Sequence, residues 1–180
     1  MGTLSLIPHP AHPPAHVRVI EAAIIGLSDH WLRIRWRIEG AAEVLVPPFA
    51  GKGRSDGLWH QTCFEVFLKA PDEAGYVELN LSPSERWAAY DFVSYRAGMA
   101  ERAMPRHPDC TLRGSNDLMI FDASIPLTGL PPLPWQFGLN CVIVEQDGTR
   151  SFWALRHAPG KPDFHAPACF AAKLEAPAAA

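Results

Sequence analysis

Several signatures of common protein classes are missing from this sequence of 180 residues. Its four cysteines, Cys63, Cys110, Cys141 and Cys169, form no CxxC pair and show no zinc-ligand spacing, so the usual structural zinc sites are excluded. We expect them to be reduced, mostly buried thiols. No stretch approaches the ~20 apolar residues of a membrane-spanning helix, and no membrane association is expected.

An excess of one charge is also missing. The chain has 16 Lys and Arg against 19 Asp and Glu, a net charge of −3. Proteins that hold nucleic acid through its phosphates need a basic surface, so nucleic acid is not an expected partner. The first residues lack the basic start and apolar run of a secretory signal, which predicts a cytoplasmic location.

Catalytic motifs are scarce as well. The sequence contains no GxSxG elbow, phosphate-binding glycine loop, dinucleotide fingerprint or HExxH pair, and we therefore predict a protein without catalytic activity. Two weaker patterns stay open. One is a possible metal site formed by His60, His157 and His165, which are not linked by a recognised spacing. The other is a possible acid/base pair, Glu65 with Glu78, of the kind used in glycoside hydrolysis.

Proline and glycine, in contrast, are plentiful, with 18 and 13 residues. Many short strands joined by tight turns need such residues, and no sustained helical period is visible. About nine strands are predicted, which favours an all-β antiparallel β-sandwich of the jelly-roll or immunoglobulin-like kind. We expect a flexible lead-in over 1–16, a single domain over 17–175 and a tail over 176–180.

A hairpin provides the most informative local pattern. The strand 58–68 is apolar on both faces, whereas the strand 76–81 has one aliphatic face and one face with Tyr76, Glu78 and Asn80. Pairing Phe64 with Leu81 matches apolar to apolar. This register sets Glu65 opposite Asn80 and Phe67 opposite Glu78. A carboxylate among aromatic rings needs hydrogen bonds or solvent, so two interpretations remain: a buried network with Arg86 or Arg96, or a ligand-binding concave face.

Two further strands complete the predicted polar face. In the strand 86–95 we expect Ala88, Tyr90 and Phe92 to enter the core and Trp87 to join the polar face. The dipeptide Asp147-Gly148 predicts a two-residue turn of type I′. That turn pairs Val142 with Trp153, Asn140 with Leu155 and Leu139 with Arg156.

Tryptophan is frequent, with six residues, and an indole at a strand end or beside a polar face is placed to stack on the apolar side of a sugar ring. Amide, carboxylate and guanidinium groups then bind the hydroxyl groups at the rim. The predicted ligand-binding residues that share this chemistry are Trp59, Glu65, Glu78, Asn80, Trp87, Asn140, Trp153 and Arg156.

Three segments carry a resemblance to a known family: DGLWHQTCFEVFL (56–68), YVELNLSPSERWAAYDFVSYRAGM (76–99) and FWALRHAPGKPDFHAPACFAAKLE (152–175). Together they resemble the DOMON-like superfamily, which includes the family 9 carbohydrate-binding modules, and within it a small bacterial DOMON-like group. The resemblance implies a β-sandwich that binds a sugar between two tryptophans. It points to Trp153 for one ring and to Trp59 or Trp87 for the other.

The same resemblance implies cofactors and partners. Calcium is a candidate structural ion, although its ligands are not traceable in the sequence. Haem, bound in some relatives, would need Met99, Met104 or Met119 with His107 or His157 as axial ligands; no spacing selects such a pair, and haem is not expected. The expected partner is a glycan or other small molecule, with a protein partner as the alternative.

Overall fold

The structure, a computed structural model, describes residues 2–176, in which all regular elements are strands or short 3-10 helices. None of its helices has the length and apolarity needed to span a membrane. The all-β fold class is thus confirmed.

The 3-10 helices cover Ala41–Glu43, Leu58–His60, Leu127–Gly129 and Pro167–Cys169. The strands are β1 (Leu4–Pro8), β2 (Val19–Leu27), β3 (Trp31–Glu39), β4 (Gly53–Arg54), β5 (Cys63–Lys69), β6 (Tyr76–Leu81), β7 (Arg86–Phe92), β8 (Ala100–Glu101), β9 (Asp109–Gly114), β10 (Leu118–Pro126), β11 (Trp135–Val144), β12 (Arg150–Ala154) and β13 (Ala172–Leu174).

These strands form one continuous sheet in the order β4-β7-β6-β5-β11-β12-β1-β2-β3-β10-β9, with β13 beside β11 and β8 beside β7. Strand β1 joins the two halves, because Leu4–Leu6 pair with β2 whereas Ile7 and Pro8 pair with β12. Strands β4 and β7 run parallel, so the sheet is mixed and the prediction of a purely antiparallel one is wrong there. The jelly-roll or immunoglobulin-like order stays a prediction.

The main core lies between the two halves of the curled sheet. Phe64 of β5 stacks on Phe121 of β10 with ring centroids 4.1 Å apart, and Trp36 of β3 lies 5.3 Å from Phe64. Alternation explains these contacts, since every second residue of β3, including Ile34 and Trp36, is fully buried. Strands β5, β6, β7, β11 and β12 also bury their opposite face, here called the outer face, which carries a second aromatic cluster.

The N-terminal segment is ordered rather than a flexible lead-in, and that prediction is wrong. Leu4–Pro8 form β1, and His9 is almost fully buried. The segment is then fixed by the buried carboxylate of Glu145, which accepts hydrogen bonds from the backbone N–H groups of Ala15, His16 and Val17 at 2.7–3.2 Å. Residues 177–180 of the predicted tail lie outside the described residues.

The turn between β11 and β12 lies at the predicted place but is one residue longer. Glu145 N–H donates to the Thr149 carbonyl, and Gly148 N–H donates to the Glu145 carbonyl. Gly148 has φ +87°, as expected for the last position of a three-residue loop, which glycine occupies without steric cost. The two-residue turn predicted from Asp147-Gly148 is therefore wrong.

The longer turn shifts the strand register by one residue. Cys141 pairs with Trp153 and Val142 with Phe152, so the predicted pairs of Val142 with Trp153 and of Asn140 with Leu155 do not form. A shift of one residue exchanges the two faces of a strand. Trp153 consequently enters the main core, and Phe152 takes its predicted place on the outer face.

Strand β7 also presents the face opposite to that predicted. Trp87 pairs with Leu81 and is buried in the main core. Ala88, Tyr90 and Phe92 lie on the outer face. Both faces of β7 are apolar and buried, so the sequence pattern contains no polar alternation from which its orientation could be determined.

Candidate functional site

A cleft of about 520 Å³ opens on the outer face, a volume within the usual range for small-molecule sites. Strands β5, β6 and β11 form its floor. Strand β12 and the 3-10 helix Leu58–His60 form one wall. The segment 157–170, here called the covering loop, lies over the floor. The lining residues are Trp59, His60, Glu65, Glu78, Phe92, Arg96, Met99, Val142, Arg150, Phe152, Pro162, Phe164 and His165.

A polar row crosses the floor of this cleft. The predicted register of the β5–β6 hairpin is confirmed, with Glu65 opposite Asn80 and Phe67 opposite Glu78. On its other side Glu65 faces Asn140 of β11, so an amide lies on each side of the Glu65 carboxyl. Glu65 and Glu78 are 4% and 6% exposed and line the cleft, whereas the two asparagines are fully buried beside them.

Glu78 is held by donors on two sides. Asn80 Nδ2 donates to Glu78 Oε1 at 2.9 Å, and His165 Nε2 lies 3.8 Å from Glu78 Oε2. The Tyr76 hydroxyl accepts a hydrogen bond from Arg96 N–H at 3.1 Å and lies 2.7 Å from His165 Nδ1. If the hydroxyl donates its one proton to Nδ1, the imidazole carries its own proton on Nε2, on the side of Glu78.

Burial controls the protonation of these groups. It raises the pKa of Glu65 well above its ordinary value, and the charge of Glu78 adds to the rise. Burial raises the pKa of Glu78 to about 7, although the hydrogen bond from Asn80 opposes the shift. Burial, helped by the charge of Arg96, lowers the pKa of His165 to about 4. At neutral pH the imidazole is neutral and the two carboxyls hold at least one proton between them.

Replacing Glu78 with glutamine tests this electrostatic assignment. Some carboxyl groups have a higher pKa in the folded protein than in the unfolded one. Such a group does not reduce the free energy of unfolding at pH values below its unfolded pKa, but it lowers that free energy as the pH rises through its folded pKa. The wild-type free energy of unfolding should therefore fall by up to about 3 kcal/mol from this group as the pH rises from 5 to 8, and Glu78→Gln should lack that fall. Urea unfolding of both proteins at the two pH values measures it. An equal difference between them at pH 5 and pH 8 would contradict the assignment.

The covering loop is anchored by one carboxylate. Asp163 accepts hydrogen bonds from Arg96 Nη2 at 2.7 Å and from the Tyr95 hydroxyl at 2.5 Å, and it also accepts one from His165 N–H at 3.1 Å. Arg96 has φ +51°, a left-handed conformation that is rare outside glycine and is often found at functional sites. The anchor thus positions His165 over the floor and Arg96 at its edge.

Aromatic rings form the upper walls. Trp59 belongs to the 3-10 helix that follows Gly57, whose φ of +72° favours glycine, and its ring lies 6.4 Å from the Tyr90 ring. Phe152 of β12 and Phe164 of the covering loop approach each other with ring centroids 6.2 Å apart. A flat, apolar ligand face can therefore contact rings while its polar groups reach the floor.

The predicted ligand-binding residues divide into three groups. Trp59, Glu65 and Glu78 line the cleft, and Asn80 and Asn140 lie within its floor. The others lie elsewhere: Trp87 and Trp153 are in the main core, and Arg156 is exposed beyond the end of β12.

Sequence reasoning missed several lining residues, namely Phe92, Arg150, Phe152 and Phe164. It singled out Arg96 as a partner of the buried carboxylates and His165 as a metal ligand, but neither as a residue of a ligand-binding cleft. The position of the covering loop over the floor depends on long-range contacts through Asp163, which leave no local pattern.

The described residues offer no ready metal centre. Within 2–176, no group of three or more His, Cys, Asp and Glu side chains is arranged to hold a metal ion. The predicted histidine metal site does not assemble, since His165 faces Tyr76 and Glu78 while His157 Nε2 lies 2.9 Å from the Ile7 carbonyl oxygen. Calcium can also be bound by backbone carbonyls and amide oxygens, so the calcium ion that the resemblance implied stays a prediction.

Comparison with known proteins adds evidence at the level of the fold. No protein-family model matches the chain, and no curated protein matches it significantly. A candidate carbohydrate-binding protein from Bacteroides uniformis aligns with a TM-score of 0.63 and 13% identity, over 93% of this chain and 82% of that one. A family 9 carbohydrate-binding module from Caldicellulosiruptor kristjanssonii, solved in complex with cellotriose, aligns with a TM-score of 0.50 and 12% identity, over 87% and 75%.

The chain shares its fold with these carbohydrate-binding proteins. The resemblance to family 9 modules inferred from the sequence is thereby confirmed for the fold. Of the tryptophans to which that resemblance pointed, Trp59 lines the cleft with buried polar groups, whereas Trp87 and Trp153 lie in the main core.

Proposed function

We propose that this protein binds a carbohydrate, or a small molecule that contains a sugar, in the cleft and does not transform it chemically. The observation that carries the proposal is the combination, in one cleft, of the rings of Trp59, Phe152 and Phe164 with the buried carboxyls of Glu65 and Glu78. Sugars have apolar C–H faces and polar rims, and proteins bind them with rings and hydrogen-bonding side chains arranged in this way.

The shape of the site also supports a sugar ligand. A cleft of about 520 Å³ admits a small ligand, and the anchor at Asp163 holds its cover in place, which limits the ordering cost of binding. The solved family 9 module of the same fold was bound to cellotriose, so glucose and short β-glucans are reasonable first probes.

Isothermal titration with glucose, cellobiose and cellotriose tests the proposal together with the variant Trp59→Ala. Loss of one stacking ring should weaken binding about tenfold or more, because a buried aromatic contact contributes on the order of 1–2 kcal/mol. A thermal-shift assay supports the titration, since a ligand at 100 times its Kd stabilises the folded protein by about 2.7 kcal/mol.

Trp31→Ala is the matched control. Trp31 begins β3 in the other half of the sheet and is half-buried, as Trp59 is. Its replacement should leave sugar affinity unchanged. An equal effect of the two variants would contradict the placement of the site, and the absence of binding to any sugar probe would contradict the proposed function.

A further inference from the structure

Hydrogen-bond acceptors outnumber donors on the floor of the cleft. Glu65 forms no side-chain hydrogen bond within the described residues, and Glu78 Oε2 has only His165 Nε2 at 3.8 Å. Asn80 Oδ1 is buried and has no hydrogen-bond partner in the described part of the chain, and the same holds for Asn140 Oδ1. Asn140 Nδ2 is an unused donor there, and His165 Nε2 also forms no hydrogen bond within the described residues. A ligand group that suits this floor must supply several donors.

The position of the protons follows from the same contacts. Glu78 has a donor beside it, because Asn80 Nδ2 bonds to Oε1, and His165 Nε2 lies 3.8 Å from Oε2 on its other side. Glu65 is flanked by the two unpartnered amide oxygens in the row Asn140–Glu65–Asn80. A protonated Glu65 can donate to one of these oxygens, whereas a charged Glu65 has two unpartnered acceptors and only one unpartnered donor, Asn140 Nδ2, beside it. Glu78 is therefore the carboxyl of the pair that loses its proton first.

We propose that the cleft selects sugars that carry a protonated amine, with the ammonium group bound between Glu78 and Glu65. This inference rests on the proposed function and names the class of sugar. An ammonium has three donors and no acceptor, which matches the carboxyl oxygens of Glu65 and Glu78 that line the cleft. A hydroxyl group supplies one donor. An acetamide group supplies one N–H donor and adds a carbonyl acceptor. Both groups therefore match the acceptors of the floor less well than an ammonium does.

The charged groups around the floor leave this position open to a cation. The Arg96 guanidinium is paired with Asp163, and the Arg150 guanidinium donates to the His60 carbonyl at the rim. His165 is neutral near pH 7, because burial lowers its pKa to about 4. The titratable and charged groups that face the carboxyl pair are Cys63, Tyr76, Tyr90, Arg96, Arg150 and His165, with Glu65 and Glu78 themselves.

The rings of the walls add to this preference. Phe92, Phe152 and Phe164 line the same cleft, and aromatic faces attract cations through the quadrupole of the ring. A neutral sugar gains only the stacking contribution from them. An amino sugar gains stacking together with the charge interaction.

Isothermal titration of the wild-type protein with glucose, glucosamine and N-acetylglucosamine at pH 6.5 is the decisive measurement. We expect glucosamine to bind at least tenfold more tightly than the other two. Titration in two buffers of different ionisation enthalpy should also show proton release with glucosamine but not with glucose, because the ammonium replaces the proton on Glu78.

The variants Glu78→Gln and Glu65→Gln identify the groups responsible. Glu78→Gln should bring the affinity ratio of glucosamine to glucose close to one and abolish proton release, and Glu65→Gln should reduce the ratio less. Glu73→Gln is the matched control, since Glu73 is exposed in the turn of the same hairpin, and it should leave the ratio unchanged.

The outcomes separate the two proposals. Equal affinity for glucose and glucosamine in the wild-type protein, or a preference that survives in Glu78→Gln, would overturn the amine inference while sugar binding in the cleft stands. The wild-type comparison decides this even if a variant fails to fold. Absence of binding to all three sugars would overturn the proposed function and this inference with it.

Discussion

Replacement of Glu145 by alanine should lower the free energy of unfolding by about 3–5 kcal/mol, measured by urea denaturation at pH 7. The carboxylate is fully buried and accepts three backbone hydrogen bonds, from Ala15, His16 and Val17. Alanine leaves all three donors without that acceptor and opens a cavity at the same place. The loss is expected to be large because removing one partner exposes the full desolvation cost of the others.

Two further variants make this result interpretable. Glu145→Gln keeps one acceptor oxygen and should lose less than alanine does, whereas Glu73→Ala, at an exposed turn position, should change stability by less than about 0.5 kcal/mol. Hydrogen exchange of the amides of residues 15–17 should become faster in Glu145→Ala. Unchanged stability, or unchanged exchange at these amides, would contradict the role given to Glu145.

Adjacent substitutions in β12 should have opposite consequences. Trp153 is almost fully buried in the main core, and its Nε1 donates to Ser151 Oγ at 2.9 Å, so Trp153→Ala should cost about 3–5 kcal/mol in unfolding free energy. Phe152 is half-buried in the cleft wall. Phe152→Ala should therefore cost less stability and instead weaken sugar binding about tenfold.

Urea denaturation and sugar titration of the two variants under the same conditions test this pair. The two-residue turn predicted from the sequence would give the reverse pattern, with Trp153 in the site and Phe152 in the core. A stable Trp153→Ala variant with abolished sugar binding would thus contradict the observed register of β11 and β12.

The β5–β6 hairpin could be predicted because local sequence is enough to determine it. Both strands alternate between two distinguishable faces, and only one register matches apolar with apolar residues, as Phe64 opposite Leu81 shows. The placement of Glu65, Glu78 and Asn80 on one face followed directly. Burial of both faces, which made a carboxylate there unusual, was also visible in the sequence.

The rest of the site depends on interactions that local patterns do not contain. The orientation of Trp153 depends on whether the loop at Gly148 has two or three residues, and both lengths suit the same dipeptide. Trp87 lies in a strand that is apolar on both faces. The covering loop is placed by Asp163, whose partners Tyr95 and Arg96 are far away in the chain.

Strand β1 has a consequence for how the protein is made. Its first half pairs with the nearby β2, but Ile7 and Pro8 pair with β12 near the other end of the described chain. During translation, Ile7 and Pro8 can therefore form their strand pairing only after β12 has left the ribosome. We expect the half-sheet of β2, β3, β9 and β10 to assemble on the nascent chain first, and closure of the complete sheet to be a late event that needs β12.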